Sequence, residues 1–199
     1  MTIGQLYNAN NVVVGQAAVF VGIAGLALPV LTGWNQADPF SPTFWTTPAG
    51  WAAVGATDQG WSYAVDKSTQ TINIEEQSTP VATTISTQAA TISGALSEDI
   101  TKTLTMALNA TSATTAASVG TQTGYDKILM TDDVIYYALG LVTVNKFGFG
   151  RLIYIPKMSQ LSNPNVAFRR AADKRQYAVN FVSNCPTGQI ETYEFNATK

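Results

Sequence analysis

The chain has 199 residues, 46% of them apolar and only 12% charged, about half the charged share (about 25%) usual for a soluble domain. It contains no histidine and a single cysteine, Cys185. Those counts exclude a Ser-His-Asp triad, a Cys-His dyad, a His-Glu-x-x-His zinc site, a cysteine-rich zinc site and an intramolecular disulfide. Carboxylate-only chemistry survives the cut. The expectation is a protein that is not an enzyme and has no catalytic residue, cofactor or metal.

A chain of this size buries about 70% of its unfolded surface, so its core needs no metal or disulfide. It carries 26 Thr, 26 Ala and 12 Ser. Threonine beside Val, Ile and aromatics favours strands, because branched side chains fit a pleated surface. Net charge is −2, unevenly spread: −3 over residues 1–66, −4 over 67–145 and +5 over 146–199. An acidic body with a basic end can meet copies of itself head to tail.

Residues 1–11 carry no core pattern and read as an N-terminal arm. Val12 to Leu31 runs twenty positions without a charge, long enough to span a bilayer. No Lys or Arg flanks it, and Gly15, Gly22, Gly25 and Pro29 divide it into strand-sized pieces, so a membrane span is not expected. Val12 to Val14 and Ala18 to Val21 read as β, with a loop from Gly22 to Pro29. Residues 32–50 hold Pro39, Pro42 and Pro48 among aromatics, which is loop chemistry pinned by large apolar anchors.

Gly55 and Asp58-Gln-Gly60 supply turn residues, and Ser62 to Val65 reads as a short strand. Gln70 to Gln77 alternates, and Val81 to Leu96 is a long Thr-rich alternating stretch with one wet face. Ser97 is placed to cap a helix over about 97–109, with Glu98 and Asp99 in its first turn. Ile100, Leu104, Ala107 and Leu108 would form its core stripe. Residues 110–124 are small and polar and read as a flexible loop that orders on a partner.

Strands resume at Val134 to Val144 and at Arg151 to Ile155, the latter stopped by Pro156. Ala167 to Gln176 is a basic helix or turn, and Tyr177 to Val182 and Ile190 to Phe195 are strands. No internal repeat is visible. The fold class expected is mainly β, sandwich or barrel-like, with one flanking helix, in a single domain over 1–199.

Motifs for chemistry are thin. Gly148-Phe-Gly150 lacks a third glycine and a following helix, so it reads as a turn. Glu75 and Glu76 point to opposite faces of a strand, Glu98-Asp99 is explained by capping, and Asp132-Asp133 lies in a turn where a divalent ion is the alternative. Asn109-Ala-Thr111 and Asn196-Ala-Thr198 are sequons that matter only in a secreted eukaryotic chain. The cluster Arg169, Arg170, Lys174, Arg175 reads as a solvated or subunit-facing patch. Phosphate binding is its alternative, against a pI of about 5.0.

The order of these features resembles the major tail tube proteins of long-tailed, non-contractile (siphovirus-type) bacteriophages. The matching residues are Val12-Val-Val-Gly15, Phe20-Val21, Gly50-Trp51, Val54-Gly55-Ala-Thr57-Asp58 and Gly60. They continue with Ile72-x-Ile74-Glu75-Glu76-Gln77, Pro80-Val81, Leu96-x-Glu98, Thr101, Leu104, Ala107-Leu108, Ile153-Tyr-Ile-Pro-Lys157 and Tyr177-Ala-Val. The resemblance implies hexameric rings whose inner strands join into a barrel and which stack into a tube, the conduit for genome ejection. It also implies tape measure, tail terminator and distal tail proteins as partners, DNA that passes without specific binding, and a place in the virion after assembly in the host cytoplasm.

On that reading Phe20, Ile23, Leu26, Leu28, Trp34, Trp45, Arg169, Arg170, Lys174 and Arg175 are candidate contacts between subunits or rings. Thr71, Asn73, Glu75, Thr83, Ser86 and Gln88 are candidate bore-facing residues, because a conduit for DNA should not bind phosphates. A reducing host cytoplasm would leave Cys185 a free, buried thiol. Alternatives from other classes are a cell-surface adhesin or carbohydrate-binding β-sandwich, with Trp34, Trp45, Trp51 and Trp61 as stacking platforms, and a capsid decoration protein. No basic n-region flanks the first apolar stretch, so a signal peptide is not expected, which disfavours the adhesin.

Overall fold

The computed structural model describes residues 17–31, 34, 40, 44–45, 50–55, 57–72, 79, 81–97, 100–117, 123–144, 149–162 and 176–195. The protein is mainly β. In chain order the elements are β1 (Ala17–Ile23), β2 (Ala52–Ala53), β3 (Thr57–Ile72), β4 (Ala82–Leu96) and the helix α1 (Thr101–Ala107). Then come β5 (Ala110–Thr115), β6 (Tyr125–Met130), β7 (Tyr136–Val144), β8 (Gly150–Gln160), β9 (Tyr177–Ser183) and β10 (Glu191–Glu194). Eight strands form one antiparallel sheet in the order β2-β1-β7-β8-β9-β4-β3, with β10 added beside β8. β5 and β6 pair only with each other.

β8 is shared lengthwise. Its first half, Arg151 to Tyr154, pairs with β10, and its last residues, Met158 to Gln160, pair with β9. β7 runs along its other side. The central strands β1, β7 and β8 are buried on both faces, so their sequences are nearly continuous apolar runs.

On one face Val19, Val21, Leu139, Leu141, Ile153 and Ile155 meet Ile92, Leu96, Val179 and Phe181 from β4 and β9. Met106 and Ala107 of α1 join them. The sheet therefore curls around this core, and β3 comes back beside β1. Alternation sends Phe20, Ala138, Val142, Leu152 and Tyr154 to the opposite face, where they meet Phe44, Trp45 and Trp51 in a second core.

That second core is an aromatic layer laid over the sheet. Trp45 stacks on Phe20 with ring centroids 4.4 Å apart, and it meets Phe44 and Trp51 edge-on at 5.3 and 5.0 Å. Trp34 stacks on Phe195 at 4.0 Å. The polar ends of two rings tie down the loop that follows β1. Trp51 Nε1 donates to Ala27 O at 2.9 Å, and Tyr154 Oη donates to Leu26 O at 2.7 Å. Gly140 makes the layer possible: a Cβ there would sit 2.4 Å from the Trp45 ring.

Several local expectations change. Asp58-Gln-Gly60 is not a turn between strands. It lies inside β3 as a bulge, with Gly60 at φ +78, and Ser62 to Val65 joins Gln70 to Ile72 in one 16-residue strand. Pro156 does not stop β8. It sits where the β7–β8 register slips between Tyr137 and Leu139, so its missing N–H costs no ladder bond.

The helix starts at Thr101 with Ile100 as N-cap and no side-chain capping bond, so Ser97 is not the cap. Its buried face is Thr103, Met106 and Ala107, whereas Ile100 is exposed. Residues 110–115 are a strand rather than a flexible loop, because Tyr125–Met130 lies alongside in full register. Of the rest of that predicted loop, 116–117 and 123–124 are irregular and 118–122 lies outside the described residues, as do the 1–11 arm, the strand at 12–14 and the basic segment 167–175.

The close seat of Trp45 yields a prediction. Gly140→Ala drives a methyl into the ring, and overpacking of this kind costs about 1–3 kcal/mol. For a chain of this length that lowers Tm by about 2–12 °C, measurable by calorimetry. Trp45→Ala costs more, about 3–5 kcal/mol.

Candidate assembly surface

β3 and β4 are far longer than the core they serve. Ile92 and Leu96 are fully buried, yet from Ala64 to Ile72 and from Ala82 to Thr87 every residue is exposed. The outer halves form a two-stranded arm that leaves the barrel, closed by the bond from Val81 N to Ile72 O at 2.9 Å. At its root, the Trp61 ring lies across Gly94 of β4, where a Cβ would come within 2.7 Å of it. A two-stranded ribbon with no cover on either face is marginal in water.

Register sorts the arm into two faces. Tyr63, Val65, Lys67, Thr69 and Thr71 share a face with Ile92, Ala90, Gln88, Ile85 and Thr83, which continues the inner face of the barrel outward. Val65 and Ile85 are exposed there, Ile85 by 55%. The other face carries Ala64, Asp66, Ser68, Gln70 and Ile72 beside Thr91, Ala89, Thr87, Thr84 and Ala82. It carries the hydroxyls of Ser68, Thr84, Thr87 and Thr91 with the exposed Ile72 near its tip, and its one charge is Asp66. A second bulge, between Ser68 and Thr69, leaves Ser86 unpaired in the ladder, and its Oγ donates to Ser68 O at 3.1 Å.

The β5–β6 hairpin is the second exposed unit. Asp126 fastens it to the helix by accepting from Thr101 Oγ1 at 2.6 Å, and it ties the two strands together by accepting from Thr114 Oγ1 at 2.7 Å. These bonds, Thr101's first, hold the Asp126 carboxyl below the usual carboxylate range. Asn109, left-handed at φ 49, ends the helix and clips the next turn: its Nδ2 donates to Asp133 O and its Oδ1 accepts from Ile135 N, both at 2.9 Å. Gln160 is buried and donates through Nε2 to Ala107 O at 2.7 Å, occupying a helix-end carbonyl. Tyr125, Leu129 and Met130 remain exposed.

The candidate contact residues separate into two groups. Phe20 and Trp45 are consumed in the chain's own second core, which corrects their reading as contacts: a side chain stacked inside one subunit has no surface left for another. Trp34 packs on Phe195 and Phe44, and Leu26 and Leu28 are half-buried against the same layer. Ile23 is 74% exposed and stays available.

Of the candidate bore residues, Thr71 and Thr83 are exposed but fall on the face that continues the core. Gln88 is half-buried on that same face, and Ser86 is the bulge residue. The hydroxylated face opposite was not singled out by the sequence pattern, because the bulge shifts the alternation by one. Asn73, Glu75, Arg169, Arg170, Lys174 and Arg175 lie outside the described residues.

Among the described residues no group of three or more His, Cys, Asp or Glu is placed to hold a metal. No helix there is long and apolar enough to cross a membrane. Cys185 is unpaired and half-buried, and burial pushes its thiol up from the ordinary value. No protein-family model matches the chain, and no curated protein is significantly similar to it.

Tyr193 on β10 donates its hydroxyl to Glu191 Oε2. That bond, with burial and the carboxylate's charge, pushes its pKa from 10.0 up to about 12. A folded value above the ordinary one means the pairing contributes fully below the ordinary tyrosine pKa and is lost as pH rises through about 12. Burial also raises Tyr63, Tyr137 and Tyr154, so a spectrophotometric titration shows several late tyrosines, and Glu191→Gln moves the Tyr193 component back toward the ordinary value.

Proposed function

We propose that this protein is a structural subunit that assembles with copies of itself into a tube. The tube is of the kind formed by tail tube proteins of long-tailed, non-contractile bacteriophages, and it serves as a conduit for DNA. One observation carries the reading. The chain completes two cores of its own and still extends a long β-arm whose residues from Ala64 to Ile72 and from Ala82 to Thr87 are all exposed, with no described element laid over them. Such an arm is stable only when neighbours bury it. The low charge content agrees, since it leaves a surface poor in the groups that keep monomers apart.

The arm's hydroxylated face suits a bore. Lysine contacts to phosphate release counterions and add affinity, which would retard a passing duplex. That face holds no cation, while Lys67 sits on the other. Stacked rings in a virion, with tape measure and tail-end proteins as partners, follow from this reading.

The tryptophans give little support to a sugar-binding alternative. Trp45 and Trp51 are buried, and Trp34 is stacked on Phe195, so they present no open platform.

Negative-stain microscopy with light scattering over a concentration series tests the proposal. Rings or tubes are expected, and a monomer at all concentrations overturns it. Within assembled tubes, Ser68→Lys with Thr87→Lys should create duplex DNA binding that weakens with salt, absent from the unmodified protein. Identical behaviour of the two would remove this face from the bore.

A further inference from the structure

The edges of the two exposed hairpins differ in how they are defended. Soluble proteins blunt free strand edges with charge, proline or bulges, because an unpaired row of N–H and C=O groups recruits another strand. β6 carries Asp126 and Lys127. β5, Ala110–Thr115, has neither charge nor proline, and among the described residues it pairs only with β6.

β3 is the terminal strand of the large sheet, paired on one side by β4. Its charges in the arm, Asp66 and Lys67, precede the second bulge. From the residue before that bulge to the end of the strand, Ser68, Thr69, Gln70, Thr71 and Ile72 are uncharged and free of proline. The chain thus holds two undefended edges of nearly equal length, five residues and six, both rich in hydroxyls.

We propose that the outer edge of β3, residues 68–72, pairs with the β5 edge of a second copy. The inference rests on the self-assembly reading and specifies its joint. Two different edges of one chain make a heterologous contact, which propagates to a closed ring or an open filament, whereas β3 on β3 would stop at a twofold dimer. Pairing would satisfy both rows of backbone groups and extend each two-stranded unit into a sheet of four.

The test uses the full chain carrying Cys185→Ser. Thr69→Cys or Gln70→Cys on one preparation is mixed with Ser112→Cys or Ala113→Cys on another, which covers a one-residue slip of register. Under mild oxidation the joint predicts a crosslinked pair only in the mixtures, and a ladder of higher species when one chain carries both cysteines. Crosslinking of a β3 variant with itself overturns the joint in favour of a twofold dimer. Rings or tubes with no β3–β5 crosslink overturn the joint and leave the assembly reading intact. Monomers throughout overturn both.

Ser112→Lys provides a second measurement. Ser112 is exposed, so Tm should stay unchanged while the concentration needed for assembly rises about tenfold or more, as a tenfold change corresponds to about 1.4 kcal/mol. Unchanged assembly would count against the β5 edge.

Discussion

The structure depends on three strands being buried on both sides. β1, β7 and β8 carry one core against β4, β9 and α1 and another against a layer of aromatic rings. Two-sided burial removes the usual division of a sheet into a wet and a dry face, and the other elements take their positions from it. The loop after β1 must fold back to cover Phe20 and Tyr154, and Gly140 must lack a side chain so that Trp45 can reach the backbone. α1 is short and intrinsically poor, with three threonines in seven residues, and it persists because Met106 and Ala107 fill the open end of the inner core.

This economy separates folding from assembly. Many of the described large aromatics, the class of side chain that dominates burial energy in most interfaces, are already used within the chain. What the described residues leave outside is backbone edge, hydroxyl, a few aliphatic side chains and the rings of Tyr125 and Tyr136. In the assembly proposed above, contacts built from such groups would rely on many modest hydrogen bonds rather than on a buried anchor, and would draw their strength from repetition.

The sequence pattern made the central strands legible, and for a physical reason: Ala18 to Val21, Tyr136 to Val144 and Tyr177 to Val182 take their conformation from burial that their own side chains announce. Elements whose partner is distant in the chain were harder to read. Ala110 to Thr115 has no large side chain and looks like a loop until Tyr125 to Met130 supplies its ladder. Pro156 and Gly60 look like punctuation, yet bulges absorb both within continuous strands. Of the candidate contacts, Phe20 and Trp45 look like interface anchors because nothing local shows that the loop returns to its own sheet. The signal that could have shown it is the pair of glycines, Gly140 and Gly150, set in otherwise bulky strands beneath Trp45 and Trp34.

The root of the arm has a mechanical consequence. β3 and β4 pass from barrel to arm as one unbroken ladder, without a loop between them, and Trp61 is wedged on Gly94 at the crossing point. The ladder is therefore continuous where the arm leaves the barrel, and the next irregularity along it is the bulge at Ser68 and Thr69. If copies assemble as proposed, a bend imposed at the tip of one arm would travel along that ladder toward the core rather than be taken up by a loop at its root.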